Sequence, residues 1–399
     1  MRIKYCWLSL ILPLLLILAS CSSSPSLSST GTGFLWLTAQ GNTTVQAYTI
    51  NTGNGSLSRN GNAVATGNAP ISIVITPKGD AAFISNSGTG STSGGGISAY
   101  TINSDGTFKV AGSTIAAGPT PLGMAINPAG TFLFVANQGS FDLTHPGSIS
   151  VFAVSGASLT PVNGSPFSTE INGGNVGTGP VSVAVSASGN YLYVANQFAN
   201  AVSSFQISSS GALTPLNIYP VGLSPSSVFV SIAQGTTVPA GQYLYVANAG
   251  SNNISGFAIC DAANALGCSA PNGLLTPLAG SPFAAEPGPV AIAMDPTAPF
   301  LYAADEQANQ ISEYRWSSST GVLSPLTPAI ISAGGSPVSL AIRPGIAATL
   351  TNAGTDYLYA ANLNASSVSV YTLNTTTGGL NVLGSPVTTP AQPSAVIVR

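Results

Sequence analysis

A six-residue pattern of alternating aromatic and aliphatic residues recurs along the whole chain. It is clearest in Tyr-Leu-Tyr-Val-Ala-Asn at residues 191–196, and its seven copies occupy residues 34–39, 81–86, 132–137, 191–196, 243–248, 300–305 and 357–362. The last positions of consecutive copies are 47 to 59 residues apart, a period typical of proteins that repeat one small β-sheet. Because a single unit cannot bury its apolar faces, such a chain has to pack its copies against one another.

Three further segments accompany the copies and predict the other strands of each unit. A second alternating run follows each copy, at residues 45–50, 97–102, 149–154, 202–207, 254–259, 311–316 and 368–373. Next comes Leu with Thr-Pro or Ser-Pro, as at residues 159–161, 213–215, 275–277 and 323–325; proline lacks a ladder donor, so this strand is expected at an outer edge. Short apolar runs beginning with proline precede the later copies and are predicted to be innermost strands, at residues 70–75, 121–126, 180–185, 225–230, 289–294 and 337–342. Four strands in each of seven units predict an all-β fold, a seven-bladed β-propeller.

The two ends of the repeated region predict how the ring closes. The first copy, at residues 34–39, has no inner run before it, whereas residues 393–398 form an inner run with no copy after it. We therefore expect the C-terminal strand to pair into the first blade, which leaves no open sheet edge in the ring. Residues 34–399 are predicted to be one domain.

The repeated segments resemble a known family. The Tyr-Leu-Tyr-Val-Ala-Asn copies, the Ile-Ser-Val-Phe and Val-Ser-Val-Tyr runs at residues 149–152 and 368–371, and the Leu-Thr-Pro edges are similar to the YVTN-repeat propellers and, more closely, to the lactonase family of 6-phosphogluconolactonase-like proteins. For that family the resemblance implies hydrolysis of a sugar lactone, or in a related fungal branch muconate lactonisation, at one mouth of the channel through His, Arg and Glu side chains. The motif itself fills space between blades and carries no catalytic information.

The first 21 residues predict export and lipid attachment. Arg2 and Lys4 precede an apolar stretch at residues 7–19, which is too short to span a bilayer of about 30 Å as a helix. Leu-Ala-Ser-Cys at residues 18–21 resembles the bacterial lipobox, which implies cleavage before Cys21 and its lipidation. We expect a signal peptide at residues 1–20, a lipidated cysteine and flexible Ser-rich tether at residues 21–33, and a lipid-anchored protein of the bacterial cell envelope facing the periplasm or the exterior. An ordinary signal peptide with a chance cysteine is the alternative, and the membrane leaflet stays open.

Cys260 and Cys268 remain once Cys6 and Cys21 are assigned to the signal peptide and the lipid. In an oxidising compartment, two cysteines separated by a short loop are expected to form a disulfide that stabilises by roughly 2–3 kcal/mol. A metal site is the alternative, but two cysteines and one distant histidine supply few ligands. We predict no metal site and no cofactor; a divalent cation such as calcium would suit acidic loops, although no ligand pattern supports it.

The charged residues, 5% of the chain with a formal charge of −3, exclude a nucleic-acid binder, which needs a basic surface. In a propeller, the loops that lead into inner strands share a face with those that follow the repeat motif. These loops contain five of the eleven carboxylates and the one histidine, together with four glutamines after repeat motifs: Asp142, His145, Glu170, Glu286, Asp305, Glu306, Gln40, Gln138, Gln197 and Gln307. Lys and Arg lie elsewhere, although a phosphorylated lactone would require them at the mouth.

This acidic mouth is predicted to be the functional site, with carboxylates and amides as acceptors for a hydroxyl-rich ligand. His145, oriented by Asp142, and Glu286 are the candidate catalytic acid and base groups, and Glu286 is expected to pair with Asp305 or Glu306. The residues predicted to bind ligand are Gln138, Glu170, Gln197, Asp305, Glu306 and Gln307. Scattered, solvated loop charge is the alternative interpretation.

The leading functional hypothesis is a monomeric, lipid-anchored propeller that binds a glycan, a small molecule or an envelope protein at this mouth. Two alternatives stay open: a hydrolase of an uncharged sugar lactone or a related lactone, and an envelope scaffold that uses its Ser/Thr/Asn-rich surface. The sequence leaves undecided whether the protein is an enzyme and favours a non-enzymatic or weakly enzymatic propeller; if it is an enzyme, it is expected to be a carboxylic-ester (lactone) hydrolase.

Overall fold

The computed structural model describes residues 33–88, 95–139, 146–170, 178–231, 242–261, 268, 270–345 and 355–399. None of these residues belongs to a helix long and apolar enough to cross a membrane. They form strands, which are, in chain order, β1 (Gly33–Ala39), β2 (Thr44–Ile50), β3 (Leu57–Ala65), β4 (Pro70–Ile75), β5 (Ala81–Asn86), β6 (Gly96–Ile102), β7 (Phe108–Val110), β8 (Pro121–Ile126), β9 (Phe132–Asn137), β10 (Ser148–Ser155), β11 (Ser158–Pro161), β12 (Phe167–Ser168), β13 (Pro180–Val185), β14 (Tyr191–Asn196), β15 (Ala201–Ile207), β16 (Leu213–Pro220), β17 (Pro225–Val230), β18 (Gln242–Asn248), β19 (Asn253–Ile259), β20 (Leu275–Pro277), β21 (Phe283–Ala284), β22 (Pro289–Met294), β23 (Phe300–Asp305), β24 (Gln310–Trp316), β25 (Leu323–Ser332), β26 (Pro337–Arg343), β27 (Asp356–Asn362), β28 (Ser367–Leu373), β29 (Leu380–Val382), β30 (Val387–Thr388) and β31 (Pro393–Val398).

These strands make seven antiparallel sheets, the blades of a ring, and confirm the predicted fold class. Blade 1 has the order β3-β2-β1-β31, and blades 2 to 7 begin at β4, β8, β13, β17, β22 and β26. The C-terminal β31 pairs with β1, with Leu35 opposite Val398 and Trp36 opposite Ile397. The predicted closure of the ring is therefore confirmed, and blade 1 is assembled from the two ends of the repeated region.

The repeat motif is explained by the packing of each second strand between two neighbouring blades. In β14, Leu192 and Val194 face the core shared with blade 3, whereas Tyr191 and Tyr193 face blade 5. The Tyr191 ring covers Gly273, whose φ of +69° suits glycine and where a Cβ would lie 2.2 Å from that ring. The Tyr193 hydroxyl donates to the carbonyl oxygen of the same glycine at 3.0 Å. Both faces of the strand are thus buried, and an aromatic residue at every second position ties one blade to the next.

The outer strands show why serine and proline mark the blade edges. In blades 3, 5 and 7 the outer strand is divided into two short pieces that pair with the same third strand. At the break, the Ser165 Oγ accepts a hydrogen bond from the Val151 backbone at 2.9 Å, and the Ser281 Oγ accepts one from the Gly256 backbone at 2.9 Å. A serine side chain therefore replaces the ladder acceptor where the following proline interrupts the edge.

Cys260 and Cys268 form the predicted disulfide, with a Cα–Cα distance of 5.5 Å. Asp261, beside the bridge, is buried and accepts hydrogen bonds from both Ser186 and Ser188 of blade 4. The bridge therefore lies next to a contact between blades 4 and 5.

Candidate functional site

One face of the ring collects the starts of the inner strands and the ends of the second strands. In blade 4, for example, Pro180 at the start of β13 is opposite Asn196 at the end of β14. The same pairing joins Pro70 to Asn86 and Pro289 to Asp305. We call this surface the Asn face, and it is the face on which the sequence placed the acidic mouth.

A buried polar ring lies just beneath the Asn face. In five blades the second strand ends in an asparagine whose Nδ2 donates to a serine Oγ of the third strand at 2.8–3.0 Å; the pairs are Asn86–Ser98, Asn137–Ser150, Asn196–Ser203, Asn248–Ser255 and Asn362–Ser369. Blade 1 has Ala39 and Gln46 at these two positions, and blade 6 has Asp305 and Ser312. The ring therefore contains one carboxyl group among neutral side chains.

A second substitution accompanies Asp305 in blade 6. In blades 2, 3, 5 and 7 the residue three positions before the first proline of the inner strand is a glycine, and a Cβ there would lie 2.5–2.8 Å from the ring asparagine; these glycines are Gly67, Gly118, Gly222 and Gly334. In blade 6 the equivalent residue is Glu286. Its backbone N–H donates to the Ser312 Oγ at 3.3 Å, as that of Gly67 does to Ser98 at 3.2 Å. Glu286 therefore occupies the position directly over Asp305.

The surroundings of Asp305 raise the pKa of its carboxyl group toward neutrality. Its side chain is fully buried, the Ser312 hydroxyl donates to Oδ2 at 2.7 Å, and Oδ1 has no hydrogen-bond partner. The pKa of Asp305 is raised to about 7, chiefly by burial; the hydrogen bonds from Ser312 oppose this rise and the negative charge of Glu286 adds to it. The charge of Glu286 thus acts on Asp305, whose side chain lies beneath the surface; the predicted pairing of the two side chains stays a prediction.

Other predicted ligand-binding residues lie on the same face. The Gln138 Nε2 of blade 3 donates to the Gln197 Oε1 of blade 4 at 2.9 Å, so these two amides form a bridge between blades. Glu170 and Glu306 are partly exposed and Gln307 is exposed. Their ligand-binding roles stay predictions, as does the catalytic role of Glu286, which is also partly exposed. Asp142 and His145 lie outside the described residues, as does the lipidation site Cys21.

Most basic residues of the propeller lie away from the loops of the Asn face; the exception is Arg59, which lines a pocket of blade 1 with Asn42 and Pro390 of those loops. Lys78, Arg343 and Arg399 follow or end inner strands, on the opposite face; Arg59 and Lys109 lie in β3 and β7; Arg315 lies in β24 with its guanidinium 4.8 Å from the centre of the Phe300 ring. Within the described part of the chain, no group of three or more His, Cys, Asp or Glu side chains is arranged to hold a metal ion. In blades 2 to 7 the described loops of the Asn face therefore present carboxylates and amides and contain no Lys or Arg.

Besides Asp261, three other buried carboxyl groups were not singled out from the sequence. On the opposite face, the Thr297 hydroxyl joins Asp295 and Asp356, at 2.9 and 2.8 Å. Burial raises the pKa of Asp356 to about 6 and that of Glu313, in β24, to about 7. These residues lie away from the Asn face, and no repeat position marked them. The Glu286–Asp305 combination had a signal, because the same repeat departs from the pattern at both positions.

The family model described as "Lactonase, 7-bladed beta-propeller" matches residues 35–175, 148–342 and 239–398. Among solved structures, the chain is similar to a Bacteroides fragilis protein provisionally named a 6-phosphogluconolactonase, with 16% identity, a TM-score of 0.72, and coverage of 93% of this chain and 99% of that one. It is also similar to the periplasmic gluconolactonase PpgL of Pseudomonas aeruginosa, with 20% identity, a TM-score of 0.71, and coverage of 92% and 98%. A Lactobacillus plantarum protein gives 20% identity, a TM-score of 0.70, and coverage of 92% and 99%. No protein of curated function matches the chain. At these identities the solved structures show a shared fold.

Proposed function

Because this chain belongs to the lactonase family of seven-bladed β-propellers, we propose that it recognises an uncharged, hydroxyl-rich sugar lactone at its Asn face. Recognition takes place outside the cytoplasm, in a monomer anchored by lipid at Cys21. A glycan or an envelope protein that presents similar hydroxyl groups is a related ligand. Neither a metal ion nor a cofactor takes part.

The observation that carries this proposal is the chemistry of the Asn face. Glu170, Glu286 and Glu306 provide acceptors for ligand hydroxyl groups, and the Gln138–Gln197 bridge provides both donors and acceptors. Lys and Arg, which phosphate recognition requires, lie outside these loops. An uncharged lactone therefore suits the face better than its 6-phosphate does.

Two observations support an extracytoplasmic location. The Cys260–Cys268 disulfide persists best in an oxidising compartment. A structural neighbour that covers 92% of this chain is a periplasmic gluconolactonase. Lipid attachment at Cys21 rests on the lipobox resemblance alone.

Hydrolysis of the bound lactone is the second candidate, and the Glu286–Asp305 pair favours it. Neighbouring carboxyl groups in different environments divide acid and base roles. In this reaction the Glu286 carboxylate accepts a proton from a water molecule while the water oxygen attacks the lactone carbonyl carbon. The ring ester carbon–oxygen bond breaks, the ring oxygen receives the proton, and the product is the open hydroxy acid. Water is the only co-reactant.

Calorimetric titration of the purified full-length protein in detergent tests recognition. The ligands are freshly dissolved gluconolactone, its 6-phosphate and the open gluconate. We expect the uncharged lactone to bind more tightly than the 6-phosphate. The Glu286→Gln variant should bind it about tenfold more weakly, because a hydrogen bond to a charged acceptor is worth about 1.5–3 kcal/mol. Tighter binding of the phosphate, or no binding of any lactone, would contradict the proposal.

A matched control and a rate measurement complete this test. Asp105 is an exposed carboxylate in a turn of blade 2, so Asp105→Asn should leave binding unchanged. Initial rates of lactone opening in a pH-stat decide between binding and hydrolysis. Turnover above the buffer rate that is lost in Glu286→Gln and kept in Asp105→Asn would establish the hydrolase.

A further inference from the structure

At the Asn face, blade 6 differs from the five asparagine blades by two groups that can carry a proton, the carboxyl groups of Asp305 and Glu286. The hydrogen bond from the backbone N–H above the ring to the serine Oγ is kept, from Glu286 to Ser312 as from Gly67 to Ser98. The direction of the next hydrogen bond is reversed: asparagine donates to serine in five blades, whereas Ser312 donates to Asp305. Asp305 has nearly the shape of asparagine, so the fold does not require a carboxyl group there.

The groups that face Asp305 leave it without a compensating positive charge. From the loop before β22 it faces Glu286, and from β24 it faces Ser312 and Tyr314. The Tyr314 hydroxyl donates to the Ala284 carbonyl at 2.6 Å, and burial raises its pKa, so it stays neutral. Among the described residues, Glu286 is therefore the charged side chain that acts on Asp305.

Two adjacent carboxyl groups do not both ionise easily. Asp305 is fully buried and has an unpartnered Oδ1, whereas Glu286 is partly exposed. The buried member keeps the proton and the exposed member carries the charge. Ionisation of Asp305 would place a second negative charge under the first, and a neutral ligand that covers both would desolvate two like charges.

We propose that Asp305 is a positioning residue that keeps a proton beneath Glu286, so that capture of an uncharged lactone at the Asn face requires a protonated Asp305 and weakens when Asp305 ionises. This inference rests on the proposed function, because it takes Glu286 as the group that touches the ligand. It adds a proton linkage that neither recognition nor hydrolysis by itself requires. Asp305 acts through Glu286 and does not touch the ligand.

The first test is the pH dependence of lactone affinity in the full-length protein. With a pKa of Asp305 of about 7, the wild-type affinity should fall about tenfold between pH 6 and pH 8. The Asp305→Asn variant, which restores the residue of the other blades, should bind with the wild-type affinity of pH 6 at both pH values. A variant with the wild-type slope would overturn the proposal, as would a wild-type affinity that does not change over this interval.

The second test needs no ligand. The chain has seven aspartates, so the carboxyl carbon of Asp305 can be followed by NMR in [¹³C]aspartate-labelled protein and assigned by its loss in Asp305→Asn. We expect it to titrate near 7 and to move to lower pH in Glu286→Gln, because the charge of Glu286 raises the pKa of Asp305. Titration near the ordinary value of about 4 would overturn the inference whatever the ligand.

These measurements separate the two proposals. If no lactone binds at any pH, the proposed function fails, and the NMR titration still decides whether Asp305 holds a proton under Glu286. If lactone binds with a pH-independent affinity, recognition stands and the role of Asp305 fails. Asp105→Asn controls for the loss of one carboxylate elsewhere and should keep the wild-type slope.

Discussion

Blades 6 and 7 are neighbours with the same architecture, yet they end differently at the Asn face. In both, the backbone N–H after the ring residue donates to the carbonyl before the inner-strand proline at 2.8 Å, from Glu306 to Gly288 and from Leu363 to Ser336. Blade 7 places Asn362 under Gly334, where a Cβ would lie 2.5 Å from the Asn362 side chain. Blade 6 places Asp305 under Glu286. The backbone hydrogen bonds are therefore the same in the two blades, although the side chains change from glycine and asparagine to glutamate and aspartate.

The two ring residues, Asn362 and Asp305, differ in their hydrogen bonds. Asn362 donates to two serine hydroxyls, Ser367 and Ser369, at 3.1 and 2.9 Å. Asp305 accepts one hydrogen bond, from Ser312. The Oδ1 atoms of both Asn362 and Asp305 are unpartnered in fully buried sites. An unpartnered buried carboxyl group costs much more stability when it is ionised than when it is neutral. Blade 7 thus has the better-satisfied ring residue, and blade 6 has the one able to exchange a proton.

The largest effect is expected from a deletion that opens the closed ring of blades. Deletion of Pro393–Arg399 removes β31, whose Val396 is buried and which supplies the inner strand of blade 1. Blade 1 then exposes an unpaired edge at the ring's centre. We expect the thermal midpoint to fall by about 10 °C or more, measured by circular dichroism at 218 nm. An unchanged midpoint would show that closure by β31 contributes little, and Arg399→Ala alone is the control.

The next largest effect is expected from a substitution that introduces the glutamate of blade 6 at the equivalent position of blade 7. Gly334→Glu without a change at Asn362 introduces a Cβ 2.5 Å from that side chain, and overpacking of this kind costs about 1–3 kcal/mol. Chemical denaturation should show this loss of unfolding free energy. Gly335→Glu is the matched control, because the nearest atoms there are 3.6 Å away. Equal stability of the two variants would mean that the glycine is not required over the asparagine.

A smaller effect is the pH dependence of stability. Burial raises the folded-state pKa of Asp305 and Glu313 to about 7 and that of Asp356 to about 6, whereas the unfolded values are near 4. The folded protein therefore holds protons that the unfolded chain releases, so this contribution is fully present below about pH 4 and is lost as pH rises through 6 to 7. The thermal midpoint should be higher at pH 5.5 than at pH 8. A higher midpoint at pH 8 would contradict the burial of these carboxyl groups as described.

The strands and the closure could be predicted from the sequence because they depend on local pattern. In β14, aromatic residues such as Tyr191 and Tyr193 alternate with aliphatic residues along a strand that is buried on both faces. This pattern recurs in every blade, so the blades can be counted from the sequence. The disulfide followed from the small number of cysteines. By contrast, the burial of Asp305 depends on the direction in which the last residue of the motif points. Its contact with Glu286 depends on a loop that folds back over it.

The smallest expected effect is the coupling free energy between Glu286 and Asp305, the two residues that distinguish blade 6 from blade 7. In a double-mutant cycle, Glu286→Gln and Asp305→Asn keep the side-chain volumes and remove one charge each. At pH 8, where Asp305 is ionised, either change alone relieves the repulsion, so the double variant should gain less than the sum of the two single gains, by about 0.5–1 kcal/mol. At pH 5.5 Asp305 is protonated and the coupling should fall toward zero. The same cycle with Asp105→Asn in place of Glu286→Gln is the control, because Asp105 is an exposed carboxylate in a turn of blade 2. A coupling that is equal at both pH values would mean that Glu286 and Asp305 interact by packing and not by charge.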